Sequence, residues 1–570
     1  MGEQVEQNDA RKVPEPADSA GTTTALQNEA QQLRERNILV VGDRAQLVDS
    51  RRSAPDGTLI GPSDPNKEIS VTLMVRSKAS DETFDKTIAD IAEHKRKPLS
   101  DAEFNAQFGA DPAAMKRVLQ FAKGNGLSTE SSDAVSGRVV VKGTVKDFNT
   151  AFGTTLSDYQ CDDGVHRQRQ GTLLVPRGLG ADLDGVFGLD ERTQAHSHLR
   201  KPSEQDVNVI ADRAAKSFLP PDVAKAYNFP TESLGAGQSV GILEFGGGLD
   251  LQDNSKYYEE HNFKKPQINV VSVDGAENIP GSAPAGADGE ITLDSQIIGS
   301  IAPDATQMLI FSKDTEQGWI DAITRATFTQ PGETPNSVIS ISWGDPEARW
   351  TDEQRRAQGL AFKKAALKGI SIFAASGDDG AKDGSKDGKF TTDYPASDPY
   401  VTGSGGTRLT TDAQGKIKTE VTWNDGTFGG AGGGGISENV PVPDFQKDVK
   451  MPPNANGTGQ PGRGVPDLAA DASPGTGYIV RTNGVEEASG GTSAVSPLFS
   501  ALMLRVNGAL GHSAGYLNPF IYKNGNTGIF HDITSGNING YAATKGWDAA
   551  SGWGSPDGQK LLDALRKQGQ

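Results

Sequence analysis

The second half of the chain alternates short apolar runs with helical segments, and this alternation constrains the fold more than any other feature of the sequence. The strand-like runs are SVGILEFGG, QMLIFS, SVISISW and GISIFAASG. Helical segments such as ITLDSQIIGSIA and DEQRRAQGLAFKKAALK stand between them. Strands that alternate with helices predict a doubly wound parallel sheet. Functional side chains of such sheets gather beyond the carboxyl ends of the strands.

The length of the chain exceeds what one hydrophobic core normally organises. Its 570 residues predict about two folded units with tails. Strand and helix patterns follow each other over residues 66–190, which we expect to form a compact α+β domain. Residues 1–65 are polar and aperiodic, so a mostly disordered tail is expected. Residues 191–217 carry mixed charge and predict a cleavable linker to the parallel-sheet domain, residues 218–570.

The charge balance restricts the partners of the protein. A formal net charge of -18 and a pI near 5.0 argue against nucleic acid and anionic membranes, which need clustered Lys and Arg. Protein and peptide substrates remain open. No apolar run is long enough to span a membrane, and the N-terminal residues lack a standard secretory signal. The single cysteine, Cys161, excludes an internal disulfide, so packing or an oxygen-liganded metal stabilises the fold.

A glycine-rich loop, SGGTSAVSP at 489–497, immediately precedes an apolar helix. Ser493 in this loop would lie at the positive helix end among backbone N–H groups, as a nucleophile requires; a serine that only caps the helix is the alternative. The GTS-x-x-x-P arrangement resembles the nucleophile motif of subtilisin-like peptidases, which use a histidine base. Beyond the linker only His261, His512 and His531 remain, and none lies in a matching motif. Another group must therefore accept the serine proton.

The segment ADGEITLDSQIIG supplies a carboxylate for this task. Glu290 and Asp294 stand four residues apart, on one face of a helix that Asp288 could cap. Two adjacent carboxyls share a proton, which raises the apparent pKa of one of them and gives a base suited to acidic pH. A solvated helix face is the alternative interpretation, and the apolar neighbours along the segment weigh against it.

A third loop follows the strand-like run IFAASGDDG. Asp378 in this loop could face the nucleophile from the carboxyl end of its strand. If its carboxyl group stays protonated, the O–H can donate to the oxyanion of a tetrahedral intermediate. An ordinary turn with Asx hydrogen bonds is the alternative.

The three loops together, in the order Glu-x-x-x-Asp, Asp and GTS, resemble the sedolisin family of serine-carboxyl peptidases. Further stretches resemble its kumamolisin-type members: LEFGGG, SISWG, YPASDPYV, GGGGIS, GRGVPDLAADA and FHDIT. The resemblance spans essentially all of residues 68–570. It implies a subtilisin-like catalytic domain with a calcium site, preceded by a ferredoxin-like pro-domain that acts as an intramolecular inhibitor.

The resemblance also implies roles for individual residues. Ser493 would be the nucleophile, Glu290 the general base, Asp294 its orienting partner and Asp378 the oxyanion-hole acid. Three further residues match supporting positions of the family: Glu244 and Trp343 in the hydrogen-bond network of the acidic pair, and Asp393 in the substrate pocket.

The C-terminal text FHDIT…TKGWDAASGWGSP resembles the calcium loop of the family, in which hard oxygen ligands surround one structural ion. Asp532 and Asp548 would supply carboxylates, and Ile533, Thr544 and Gly546 would supply carbonyls. Thr544 stands where glycine is expected, and the intervening loop is shorter than in relatives. A pair of surface aspartates in a glycine-rich loop is the alternative.

The expected function is that of an acid-active serine-type endopeptidase, made as a zymogen that cleaves its own linker. Glu290 must be ionised while Asp378 remains neutral, which confines activity to an acidic window. A chain that stays inactive until it meets acid suits a secreted peptidase. Two alternatives remain: an inactive relative that only binds protein, and a neutral-pH hydrolase of another ester or amide.

Overall fold

A computed structural model of the protein describes residues 38–202, 217–283 and 286–568. They form an N-terminal α+β domain and a larger α/β domain. No helix among these residues is long and apolar enough to cross a membrane.

The N-terminal domain is built on a four-stranded antiparallel sheet with the order Leu183–Phe187, Glu68–Val75, Arg138–Thr144 and Ser128–Asp133. The chain runs through it as βαββαβ, which is the ferredoxin-like order that the family resemblance implies. The other strands are Ile38–Val41, Arg44–Arg52, Thr58–Pro62, Ser157–Cys161, Gly164–Gln168 and Gly171–Pro176. The helices are Asp81–Ala92, Asp101–Phe108, Pro112–Gly124, Val145–Phe152 and Arg177–Gly180.

The expectation that residues 1–65 are disordered is wrong for their second half. Arg44–Arg52 pairs with Gly171–Pro176, and Thr58–Pro62 pairs with Ser157–Cys161. Ala45 and Leu47 are buried in the core of the domain. Local periodicity did not reveal these strands because the partners that stabilise them lie more than 90 residues further along the chain. Residues 1–37 lie outside the described part of the chain.

The C-terminal domain contains an eight-stranded, mostly parallel sheet. Its strands follow the order Gln267–Ser272, Thr306–Phe311, Ser239–Glu244, Val338–Ile341, Ser371–Ala375, Thr402–Thr411 and Ile417–Thr422, with Leu468–Asp471 paired to Thr402–Thr411. Only Ile417–Thr422 is antiparallel. The remaining short strands pair with one another outside the main sheet. They are His196–Ser197, Trp343–Pro346, Asp393–Tyr394, Gly435–Ile436, Gly464–Val465, Tyr478–Thr482, Val485–Ser489, Phe530–His531 and Ser555–Pro556.

Helices cover both faces of the sheet, so the doubly wound prediction is confirmed. Ala287–Ile301 and Val495–Leu510 pack on one face, and Glu316–Thr327 and Asp352–Leu367 pack on the other. The remaining helices are Pro220–Ala226, Leu251–Glu260, Gly426–Gly429, Asn518–Asn524 and Gly558–Gln568. Every residue of Ala287–Ile301 is buried, and so are residues 495–507 of Val495–Leu510, so both helices are enclosed by the protein on all sides. Their N-termini meet beyond the carboxyl ends of the central strands.

The ferredoxin-like sheet docks on two helices of the larger domain. Met74 and Phe187 of the sheet pack against Ile320 and Ala357 of these helices. Arg138 donates two hydrogen bonds, of 2.5 and 2.6 Å, to the carboxylate of Asp321. The two domains are therefore joined by an apolar contact with charged groups beside it.

Candidate active site

Ser493 lies in the tight turn that leads into Val495–Leu510. Gly491 adopts a φ of +95°, and a Cβ there would lie 2.0 Å from the carbonyl oxygen of His198, so this turn requires glycine. The fully buried Ser493 hydroxyl donates to Glu290 Oε2 over 2.8 Å and lies 3.1 Å from the carbonyl oxygen of Ser342. The structure thus brings the predicted nucleophile and the predicted base into direct contact.

Glu290 and Asp294 point into the protein from the first turns of Ala287–Ile301. Both are fully buried, so the interpretation as a solvated helix face is wrong. Burial raises the pKa of Glu290 to about 8, although the hydroxyls of Ser197 and Ser493 donate to its carboxylate and oppose the shift. Burial, and then the charges of Glu290 and Glu244, hold the pKa of Asp294 well above its ordinary value.

The hydrogen bonds of Asp294 run to a residue that the sequence analysis did not single out. The hydroxyl of Ser342 lies 2.9 Å from both carboxylate oxygens of Asp294. Asp288 does not cap the helix, since Gly286 holds the N-cap position and Asp288 accepts from the N–H groups of Gly248 and Gly281. The motif SISWG, at the carboxyl end of the strand Val338–Ile341, contains Ser342 and could have marked it as a site residue.

Glu244 and Trp343 extend the buried carboxyl cluster. The indole Nε1 of Trp343 donates to Glu244 Oε2 over 3.2 Å. Glu244 is fully buried, and burial followed by the charge of Glu290 holds its pKa well above the ordinary value. Three carboxyl groups therefore lie in one dry cluster, and only Glu290 among them accepts from two hydroxyl groups of separate residues.

Asp378 lies on the other side of the nucleophile. The backbone N–H and the hydroxyl of Thr492 both donate to its Oδ1 over 2.8 Å, so the side chain bonds to the nucleophile loop and does not close an Asx turn. Oδ2 is buried and accepts no hydrogen bond within the described residues. Burial raises the pKa of Asp378, while the nearby His198 and Arg200 oppose the shift.

The predicted linker runs through this cleft as an extended strand. His196 pairs with Gly344, and the N–H of His198 donates to the carbonyl of Ser342 over 3.1 Å. Arg200 exchanges two backbone hydrogen bonds with Gly490, of 3.1 and 2.8 Å. The carbonyl oxygen of His198 thus lies between these anchors. Residues 203–216 of the linker lie outside the described part of the chain.

The His198 carbonyl faces the catalytic groups. A Cβ built at Gly491 would lie 2.0 Å from this oxygen and 2.6 Å from Asp378 Oδ2, so both oxygens border the same small gap beside Ser493. The sequence analysis did not foresee that the linker fills the cleft. The spacing of His196, His198 and Arg200 at alternate positions of the linker was the available signal.

Asp393 lines the pocket that holds the His198 side chain. The Nε2 atom of His198 lies 3.0 Å from Asp393 Oδ2, and both side chains are fully buried. Burial lowers the pKa of His198 to about 4 and holds that of Asp393 well above its ordinary value. Both shifts favour the uncharged forms of the two side chains.

The predicted calcium ligands lie in the segment between His531 and Ser555, the two strand residues that pair at its ends. Gly546 N–H donates to the Asp532 carboxylate, at 3.0 and 3.2 Å, and Thr544 N–H donates to Asp548 Oδ2 over 2.7 Å. The carbonyl oxygens of Ile533, Thr544 and Gly546 accept no hydrogen bond from the described residues. Two carboxylates and three unclaimed carbonyls are hard oxygen donors of the kind that calcium prefers.

Three features together define a serine-type peptidase site on a subtilisin-like sheet. They are a serine hydroxyl bonded to a carboxylate, a second buried carboxyl beside the nucleophile, and an extended peptide strand across both.

Comparisons with known proteins agree. A family model described as "Pro-kumamolisin, activation domain" matches residues 55–192. Kumamolisin from Bacillus sp. (strain MN-32) is 41% identical over 527 residues, which cover 90% of this chain and 95% of that protein.

Two further comparisons involve sedolisin. Sedolisin from Pseudomonas sp. (strain 101) is 29% identical over 493 residues, 83% of this chain and 82% of that protein. A solved structure of the Pseudomonas enzyme, described as a serine-carboxyl proteinase complexed with two molecules of pseudo-iodotyrostatin, matches with a TM-score of 0.56 at 28% identity. The match covers 62% of this chain and all of that one. The chain therefore belongs to the sedolisin family of serine-carboxyl peptidases, and its N-terminal domain is a pro-domain of the kumamolisin type.

Proposed function

We propose that the protein is an acid-active endopeptidase that uses Ser493, Glu290 and Asp294 and is made as a self-processing zymogen. The contact between Ser493 Oγ and Glu290 Oε2, 2.8 Å long and fully buried, is the observation that carries the proposal. No histidine takes part in it. An intact and connected set of catalytic groups argues against the alternative of a relative that only binds protein.

Glu290 accepts the Ser493 proton while Oγ attacks a peptide carbonyl carbon. The three carboxyls of the buried cluster favour their neutral forms, so they hold little negative charge together. Glu290 loses its proton before the other two, because the hydroxyls of Ser197 and Ser493 stabilise its carboxylate. Its raised pKa means that the ionised fraction of Glu290 limits activity as the pH falls. Neutral Asp294 keeps Ser342 and the helix in place.

Asp378 acts as the acid of the oxyanion hole. Its free Oδ2, when protonated, donates to the oxygen that becomes negative as the tetrahedral intermediate forms. Glu290 then returns the proton to the departing amine, which leaves an acyl group on Ser493. Water, deprotonated by Glu290, attacks this ester and releases the acid product. Activity requires neutral Asp378 and therefore falls as the pH rises through its raised pKa. A pH profile that peaks near neutral pH would instead favour the alternative of a neutral-pH hydrolase.

The zymogen cleaves its own linker between His198 and Leu199. Support comes from the backbone pairing on both sides of this bond, with Ser342 and Gly344 before it and Gly490 after it. The His198 carbonyl borders the gap between Asp378 and the nucleophile loop. Until the cut, the linker excludes other chains from the cleft, so the pro-domain and linker act as an intramolecular inhibitor.

Calcium and secretion complete the proposal. Asp532 and Asp548, with the carbonyls of Ile533, Thr544 and Gly546, would hold one calcium ion, which would tie the C-terminal loop to the domain. A peptidase that remains blocked until it meets acid is suited to work outside the cell on protein and peptide substrates, and we propose an extracellular location.

The test is acidification of the purified precursor from neutral pH to about pH 4, where a buried carboxyl becomes protonated. Chain mass and digestion of an unstructured protein are followed. The unmutated chain should shorten to a fragment that begins at Leu199 and then digest the substrate, and the Ser493→Ala variant should do neither. Ser496→Ala is the matched control, because its hydroxyl donates to the carbonyl of Phe373 and not to Glu290. Equal behaviour of the Ser493→Ala and unmutated chains would contradict the proposal.

A further inference from the structure

Two consecutive cations of the linker pair with carboxylates on the leaving side of the cleft. Arg200 Nη2 lies 2.6 Å from Asp379 Oδ1, and Arg200 Nε lies 3.5 Å from Asp378 Oδ2. Lys201 Nζ lies 2.5 Å from Glu487 Oε1. The catalytic scheme above uses neither Asp379 nor Glu487.

The two carboxylates come from separate elements. Asp379 follows the strand Ser371–Ala375, whereas Glu487 lies on Val485–Ser489, the strand that leads into Gly490. Arg200 is hydrogen-bonded through its backbone to Gly490, which fixes the register of the bound chain. Side chains at the second and third residues after the His198–Leu199 bond are therefore directed to fixed positions, and each position offers a carboxylate that the catalytic scheme does not use.

We propose that Asp379 and Glu487 form a cation-selective binding surface for protein substrates, which favours Arg or Lys at the second and third residues after the scissile bond (P2′ and P3′). This inference rests on the proposed function, since the linker marks the path of a substrate. The same contacts hold the linker before it is cut. After the cut, a substrate with cations at these positions competes best with the new chain end that starts at Leu199.

The size of the effect follows from the exposure of the pairs. The side chains of Arg200 and Lys201 are about one-third exposed, and Asp379 and Glu487 are exposed to a similar degree. Ion pairs in contact with solvent contribute little, so about a threefold gain in kcat/KM for each pair is expected. The gain should decrease with added salt, because salt screens exposed charges.

The experiment uses the full chain after activation in acid and two internally quenched peptides that share one sequence up to P1′. One peptide carries Arg-Lys at P2′–P3′ and the other carries Gln-Gln. At a pH low enough to protonate Asp378 with either peptide bound, the ratio of kcat/KM between them should be about tenfold for the unmutated chain, as two exposed ion pairs allow. Asp379→Asn and Glu487→Gln should each reduce this ratio by about threefold.

Charge reversal and a matched control make the result specific. Asp379→Lys should favour a third peptide with Glu at P2′ over the peptide with Arg there. Glu486→Gln should keep the original ratio, since Glu486 precedes Glu487 on the same strand but lies 3.3 Å from His261. Equal cleavage of the Arg-Lys and Gln-Gln peptides by the unmutated chain would overturn this inference alone. Failure to cleave any peptide would overturn the proposed function and the inference with it.

Discussion

The guanidinium of Arg200 lies 3.5 Å from the free carboxyl oxygen of Asp378. Burial raises the pKa of Asp378, and the positive charge of Arg200 opposes that shift. The linker thus favours the ionised form of a group that must be neutral to stabilise an oxyanion. In the proposed mechanism, this cation delays self-cleavage until the pH is low enough to protonate Asp378.

Replacement of Arg200 by Gln should move self-processing to higher pH. Without the cation, the raised pKa of Asp378 rises further, and the neutral acid persists at a higher pH. The measurement is the pH at which half of the precursor is processed in a fixed time, determined separately from the maximal rate. Lys201→Gln is the control, because Lys201 pairs with Glu487. An identical midpoint for Arg200→Gln and the unmutated chain would remove Arg200 from this role.

Substitutions of Asp378 should separate its hydrogen bond from its charge. Asp378→Ala removes the oxyanion donor and should lower kcat by about 10² to 10³. Asp378→Asn keeps an N–H donor that needs no proton, so the loss should be smaller and activity should no longer fall on the alkaline side at the pH set by Asp378. Both pH profiles of kcat/KM check this. If the activity of the Asp378→Asn variant falls at the same alkaline pH as that of the unmutated chain, another group causes this fall.

The carboxyls of the candidate site were predictable from sequence, whereas their hydrogen-bond partners were not. Glu290 and Asp294 stand at helical spacing in an apolar segment, and Asp378 ends a buried strand, so residue type and position sufficed. The hydroxyl of Ser342 donates to Asp294, and its carbonyl oxygen accepts from the N–H of His198. Both contacts depend on tertiary packing, which the sequence pattern does not reveal. The strand Ile38–Val41 was missed for a related reason, because it is a short edge strand with three largely exposed side chains.

Asp190 should make the pro-domain lose stability in acid. Arg192 and the N–H of Arg169 bind its buried carboxylate and, against burial, lower its pKa to about 2. A lowered carboxyl pKa contributes stability above the unfolded pKa, and this contribution is lost as the pH falls from about 4 to about 2. The loss is about 2 kcal/mol for one such group. Denaturant unfolding of the Ser493→Ala chain measures it, and Asp190→Asn should flatten the pH dependence.

The raised pKa of Asp274, at the domain interface, predicts a dependence of stability on pH that is opposite to that of Asp190. Burial and the charge of Asp321 raise its pKa to about 8, although Arg138 opposes the shift. A group with a raised pKa is neutral in the folded chain at acidic pH, so its contribution favours the folded state at low pH and is lost as the pH rises from about 4, the unfolded value, to about 8. Asp274→Asn, which keeps the neutral shape, should therefore make the free energy of unfolding less dependent on pH in this range. Denaturant unfolding of the Ser493→Ala chain across the range provides the measurement.

Removal of calcium should destabilise the C-terminal loop without altering the catalytic contacts. Ligand that binds only the folded state adds about 2.7 kcal/mol when present at 100 times its Kd, so a chelator should lower Tm by several degrees. Asp532→Asn weakens the proposed site and should lower Tm in the presence of calcium and reduce the effect of the chelator. Asp557→Asn is the matched control, because Asp557 lies at a nearby helix start and its carboxylate binds Asn228 and Lys560. A Tm that is the same with calcium and with chelator would show that the loop is held by the backbone N–H groups that already bind Asp532 and Asp548.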